Sequence, residues 1–171
     1  MKQFLLGSLC TVVVAVLGGL IYLRLGLADV RGDARASRLE FSLMQMAVRA
    51  SVRRQAPNIP NPVAPSEDNL IAGGKIYLSE CSGCHGTPGK PNEPDSLNPA
   101  APRLAEAGTE YSEAQIFWVA KHGIRRSGMF SNGVWDSDQK LWTVAAYIYR
   151  VKNLPPRVAQ EIATAAAKPG S

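Results

Sequence analysis

The chain has 171 residues, 46% of them hydrophobic, with three cysteines and a formal charge of +5. That length holds one domain of about 100 residues with appendages, and three cysteines are too few for a disulfide scaffold. The positive surplus sits between Arg24 and Arg54, where seven arginines face Asp29, Asp33 and Glu40, whereas 66–156 carries nine basic and ten acidic residues. A basic collar beside an apolar segment speaks for a membrane surface, not for nucleic acid.

Phe4 to Leu23 carries no charge and is rich in Leu, Val, Ile and Gly. At helical rise these residues span about 30 Å, enough for a hydrocarbon core. Lys2 and the terminal amine form a positive n-region, so a cleaved signal peptide is the rival reading, with Gly26-Leu27-Ala28 as its cleavage site. The run is longer than the usual signal core and Arg24 interrupts before that site, so 1–26 is expected to be an uncleaved transmembrane anchor. Cys10 packs there as a small hydrophobe.

Residues 27–65 form a basic juxtamembrane segment and linker. Leu39, Leu43, Met46 and Ala50 recur at helical spacing, with Arg49, Arg53 and Arg54 around them. Two readings stand side by side: a short amphipathic helix packed on the domain, or an interfacial helix lying among headgroups. Ala56 to Pro65, with four prolines, is a stiff linker.

The domain proper covers 66–156. Ser66-Glu67-Asp68 starts a helix, with a cap and then carboxylates at the positive end of the dipole. Leu70, Gly73, Gly74, Tyr77 and Leu78 make one face. Two adjacent glycines cost a helix about 1 kcal/mol each, which close approach of a second helix would offset. The expected partner is Ser137 to Val151, capped by Asp136, with Gly73 and Tyr77 crossing Val144 and Tyr147. Between them lie a loop from Gly86 to Ala101 and a helix opened by a Ser112/Gln115 capping box and closed at Gly123. A polar loop with one methionine follows, Ile124 to Phe130. No strand signal of any weight is present. Residues 157–171 are alanine-rich and are expected to be a mobile tail.

The chemistry is concentrated in Cys81-Ser82-Gly83-Cys84-His85. Two thiols three positions apart with a histidine directly behind them is the arrangement that attaches a c-type haem. On a helical turn both sulfurs reach the vinyl groups of one porphyrin, and His85 becomes an axial ligand of the iron. A thiol–disulfide motif would want a preceding strand, and a zinc site would want ligands beyond Cys10 and His122. For the second axial position the candidates are Met129, Met44, Met46 and His122. Met44 and Met46 precede the domain, while Gly128 frees the backbone before Met129 to swing toward the iron. His122, beside Gly123, suits the end of a helix dipole.

In order, Gly73, Tyr77, Cys81-Ser82-Gly83-Cys84-His85-Gly86, Pro102 with Leu104, Gly128-Met129, and Val144 with Tyr147 resemble a class I cytochrome c. The likeness is greatest to the bacterial monohaem kind tethered by an amino-terminal helix. It covers about Ser66 to Pro156 and implies an all-α fold of three main helices around one covalently attached haem c. It also implies that Met129 is the second iron ligand, that the Pro102 carbonyl accepts a hydrogen bond from His85, and that Leu104 presses on the haem face. Both residues could instead be an ordinary turn and core contact.

With His/Met ligation the iron has no vacancy, and the expected role is electron transfer without substrate turnover. The chain would be a carrier or the haem subunit of a larger respiratory membrane complex, partnered by redox proteins and the lipid bilayer. The alternative is an open-site haem acting as a gas sensor or peroxidase. The charge rule applied to Lys2 against Arg24, Arg31, Arg35 and Arg38 would put the carboxyl side in the cytoplasm. Haem attachment in c-type cytochromes generally occurs outside that membrane, so the domain is expected on the periplasmic side of the inner membrane. Lys121, Arg125 and Arg126 form a candidate docking patch for an acidic partner, with haem propionates as the other claimants on these arginines. Trp118, Trp135 and Trp142 are expected in the core or against the haem.

Overall fold

The computed structural model describes residues 1–31, 34–90 and 97–167. All regular elements among them are helical, and they fall into two units, Met1–Ala34 and Arg35–Ser171. Residues 91–96 of the expected loop and 168–171 of the expected tail lie outside the described residues.

The first unit is α1, Lys2–Arg24, with no side chain buried. Its mean hydropathy of 2.5 makes it long and apolar enough to cross a membrane. Gly26 ends it in the left-handed region (φ 68°), as a helix C-terminus commonly requires.

The second unit is built on two crossing helices, α3 (Glu67–Ile76) and α7 (Asp138–Arg150). The glycine pair allows the crossing. A Cβ on Gly73 would strike the Thr143 carbonyl oxygen and stand 2.9 Å from Tyr147 Cβ. Tyr77 and Tyr147, both fully buried, lie across the contact with ring centroids 5.6 Å apart. The expected meeting of Gly73 and Tyr77 with Tyr147 is therefore what forms.

Helix α6 (Glu113–His122) packs on α7 and begins in a full Ser112/Gln115 capping box. It stops at Gly123 (φ 67°), where any Cβ would collide with the backbone of Met129 and Phe130. Phe117 of α6 stacks on Trp142 of α7, 4.1 Å between centroids and 4° from parallel. Helix α2 (Arg38–Gln55) is capped by Ser37 and sinks Val52 into the unit.

Four details differ from the sequence expectation. Ser137, not Asp136, caps α7; the Asp136 carboxylate instead takes Lys140 Nζ at 2.6 Å. The proline-rich stretch is pinned to the domain, because Asn61 Nδ2 donates to the Trp142 carbonyl (3.0 Å) and to the Glu113 carboxylate. The alanine-rich segment is not a free tail: Pro156–Ala167 is helix α8, with Val158, Ile162 and Ala166 buried. Its apolar residues fall four apart, which puts them on one face, and that face lies on Gly74 of α3. Arg157 adds ion pairs to Glu67 (3.2 Å) and Asp68 (3.1 Å) at the start of α3. Finally, Cys81 is reached not by a straight helix but through one π turn, Tyr77–Cys81, before the short α4, Ser82–His85.

Candidate haem site

The π turn delays the helix by a residue and is a recurrent feature of functional sites. Here it separates the buried, packing part of α3 from the cysteine pair. Cys81 is half-buried against the core and Cys84 is exposed on the following turn. Two side chains fix the motif in place. Lys140, at the start of α7, binds both Asp136 and Glu80, the residue before Cys81. The Tyr77 hydroxyl reaches past the motif to the carbonyls of His85 (3.0 Å) and Gly86 (2.8 Å). Gly86 then leaves at φ 85°, a conformation that suits glycine.

His85 meets Pro102. Its Nδ1 lies 2.8 Å from the Pro102 carbonyl oxygen, which can only accept, so Nδ1 carries the proton and Nε2 keeps its lone pair. The carbonyl is itself held. Arg103 (φ −77°, ψ 77°) makes an inverse γ-turn that brings the Leu104 N–H to the same oxygen at 2.9 Å. Leu104 then opens the short α5, Leu104–Ala107, and packs half-buried against the core. Thus the motif Cys81–His85 and the segment Pro102–Leu104, 17 residues from His85 to Pro102, are gathered at one place.

Met129 lies half-buried on a separate turn after α6. Its carbonyl accepts from Ile124 N–H (2.9 Å), and its own N–H donates to Ser127 Oγ (3.1 Å). The strained residue of that turn is Arg126 (φ 61°), not Gly128. Gly128 is needed small for another reason: a Cβ there would come within 2.9 Å of the Leu97 side chain. His122 is exposed beside Trp118, with ring centroids 5.1 Å apart, and Met44 and Met46 are exposed on α2.

The candidate docking patch is thinner than its sequence. Lys121 Nζ is occupied by both oxygens of Asp138 (2.6 and 2.8 Å), which leaves Arg125 and Arg126 as its exposed cations. Of the three tryptophans only Trp142 is core. Trp118 is half-buried, and Trp135 is 74% exposed with its edge to Phe130 at 6.0 Å.

The rival uses of the motif are poorly served. Burial, then the charges of Glu80 and Asp136, push the Cys81 thiol up to about 12. A redox-active pair needs the opposite, a stabilised thiolate. Among the described residues no three His, Cys, Asp or Glu side chains assemble a metal site, which a zinc protein would require. A porphyrin fits better. Two thiols stand one helical turn apart, and a histidine with a fixed tautomer offers one nitrogen. Exposed Phe130, Val134 and Trp135 follow Met129 as apolar surface that no described part of the chain covers.

Sequence reasoning missed the tyrosine and lysine clamps. Tyr77 drew notice only as a packing residue, and a hydroxyl four residues before the first thiol was the available signal. Asp136, four residues before Lys140, was the only local signal for that clamp, since its second partner Glu80 is 60 residues away.

Comparison with known families matches residues 68–148 to cytochrome C oxidase, cbb3-type, subunit III. Comparison with curated proteins and with solved structures gives no match.

Proposed function

Starting from a chain whose residues 68–148 are a class I c-type cytochrome domain, carrying covalently bound haem c and serving electron transfer, we propose a more specific reading. It is a monohaem carrier, or the haem subunit of a respiratory complex, held by α1 in the inner membrane with its haem domain on the periplasmic side. Cys81 and Cys84 supply the thioether bonds, and His85 Nε2 and Met129 Sδ are the axial ligands. Pro102 and Leu104 shape the histidine side. The domain spans 66–156, with α8 packed on it.

The observation that carries the reading is the 2.8 Å bond from His85 Nδ1 to Pro102. A ligating histidine needs its second nitrogen tied to an acceptor, which fixes the ring and raises its basicity. Here that acceptor is a backbone carbonyl locked by a γ-turn, so the ring is oriented in advance. When bound, the haem supplies one-electron chemistry at iron, and a thioether ligand favours the reduced state. The chain's part is to hold both axial donors in place, so that electron gain and loss need little rearrangement. On this reading the chain passes electrons and turns over no substrate of its own.

The test is Met129→Ala in the full-length holoprotein. The reduction potential should fall and the reduced protein should bind carbon monoxide, whereas the unaltered protein should not. An unchanged redox titration removes Met129 from the iron, and carbon monoxide binding by the unaltered protein supports an open site. Separately, a protein begun after Arg24 behind a cleavable signal should reach the periplasm red and be recovered in the soluble fraction after a high-salt wash.

A further inference from the structure

The two readings of the arginine-rich collar are not exclusive once α2 is seen. The face that packs on the domain is not the apolar stripe. Val52, 1% exposed, and half-buried Val48 lie on one side of the helix. Leu39, Leu43 and Met46 are 69%, 49% and 61% exposed, and with Ala50 they run along the opposite side. At about 100° per residue Arg53 and Arg54 fall on the two flanks of that stripe, with Arg49 beyond Arg53. The helix carries Arg38, Arg49, Arg53 and Arg54 against the single acid Glu40. None of the four arginines forms an ion pair among the described residues.

We propose that α2 docks the haem domain on anionic lipid, with Leu39, Leu43 and Met46 entering the interfacial zone and the flanking arginines meeting lipid phosphates. Charge complementarity selects this occupant. A narrow apolar stripe rimmed by long cationic side chains suits a headgroup layer, where the arginine stems lie along apolar surface and their heads reach phosphate. Chain length places it there. The thirteen residues Leu25–Ser37 between α1 and α2 reach about 45 Å at most. A domain tethered by a spanning α1 therefore stays within reach of the headgroups. This last step rests on the membrane reading of α1; the surface itself does not.

The consequence concerns orientation. Helix α2 is joined to the domain through Val52 and through Asn61, which is bonded to α7. Lipid contact along α2 would then fix the tilt of the whole haem domain, and with it the face shown to a membrane-bound donor or acceptor.

Among the described residues every buried side chain lies between Val52 and Ala166, so a protein starting at Arg35 loses no core contact and keeps its fold. Its holo form should co-sediment with vesicles containing phosphatidylglycerol, bind pure phosphatidylcholine vesicles far less, and be released by high salt. Each arginine replaced by glutamine should weaken binding about fivefold, so the Arg49→Gln/Arg53→Gln/Arg54→Gln variant should lose about a hundredfold. Leu39→Ser/Leu43→Ser/Met46→Ser should lose vesicle binding with an unchanged melting midpoint and haem spectrum. Absence of binding to anionic vesicles overturns the proposal, as does a variant of either kind that binds them as tightly as the unaltered protein. Self-association abolished by the apolar variant, without vesicle binding, also overturns it and makes the stripe a contact between copies. The haem spectrum reports on the electron-transfer reading independently, and carbonate extraction of the full chain reports on α1.

Discussion

Gly73→Ala tests the contact on which the domain is built. In a free helix this substitution stabilises by about 1 kcal/mol. In this one the new Cβ would stand 2.9 Å from Tyr147 Cβ and closer still to the Thr143 carbonyl oxygen, where ordinary carbon contacts are about 3.5–4.0 Å. The obstacle is the backbone of α7, which cannot rotate away, so α3 and α7 must separate. Overpacking of this kind costs about 1–3 kcal/mol. Taking the upper end for a rigid obstacle and subtracting the propensity gain leaves a net loss of about 2 kcal/mol. Gly74→Ala is the comparison, because its Cβ meets side chains only, those of Ile162 and the Tyr147 ring at 3.0 Å, and no backbone of α7. Guanidinium titration of the holo-domain, followed by circular dichroism, should rank unaltered protein above Gly74→Ala above Gly73→Ala. A Gly73→Ala domain as stable as the unaltered one would refute the close crossing.

Ile162→Ala should cost about 2–5 kcal/mol, the range for a buried aliphatic residue; no loss in the same titration would free α8 from the domain. Tyr77→Phe removes the hydroxyl that holds the His85 and Gly86 carbonyls and should cost about 1–2 kcal/mol, read as a lower denaturation midpoint with the haem still attached. Alkaline pH should destabilise the domain. Burial pushes Tyr147 up to about 12 and Tyr77 higher still, so the folded chain keeps protons that the unfolded chain loses. Their contribution is complete below about pH 10 and falls by up to about 1.4 kcal/mol per pH unit per tyrosine as pH rises toward the folded values. Tyr147→Phe should flatten that decline, and an unchanged slope would count against the burial argument.

How much of this was legible in the sequence depended on range. The capping box and the glycine stop after α6 are local patterns, and each forms as its residues dictate. The Gly73–Tyr77 face could also be paired with α7, because adjacent glycines in a helix demand a close neighbour. Residues 157–167 misled for the opposite reason. Alanine supplies little apolar area, so Val158, Ile162 and Ala166 read as weak until Gly74 opens a floor for them on α3. The capping error at α7 was a choice between neighbours: Ser137 and Asp136 are both good caps, and only the distant Glu80–Lys140 pair shows why the aspartate is employed elsewhere. The role of Gly128 depended on Leu97, a contact across 31 positions that no local pattern announces.

On the proposed reading, one iron is held between His85 and Met129 and serves only to pass electrons. X-ray absorption at the iron edge of the full-length holoprotein addresses it most directly. One sulfur scatterer bound to iron is expected in the unaltered protein and none in Met129→Ala. An iron without sulfur in the unaltered protein, or with sulfur retained in the variant, would contradict the account.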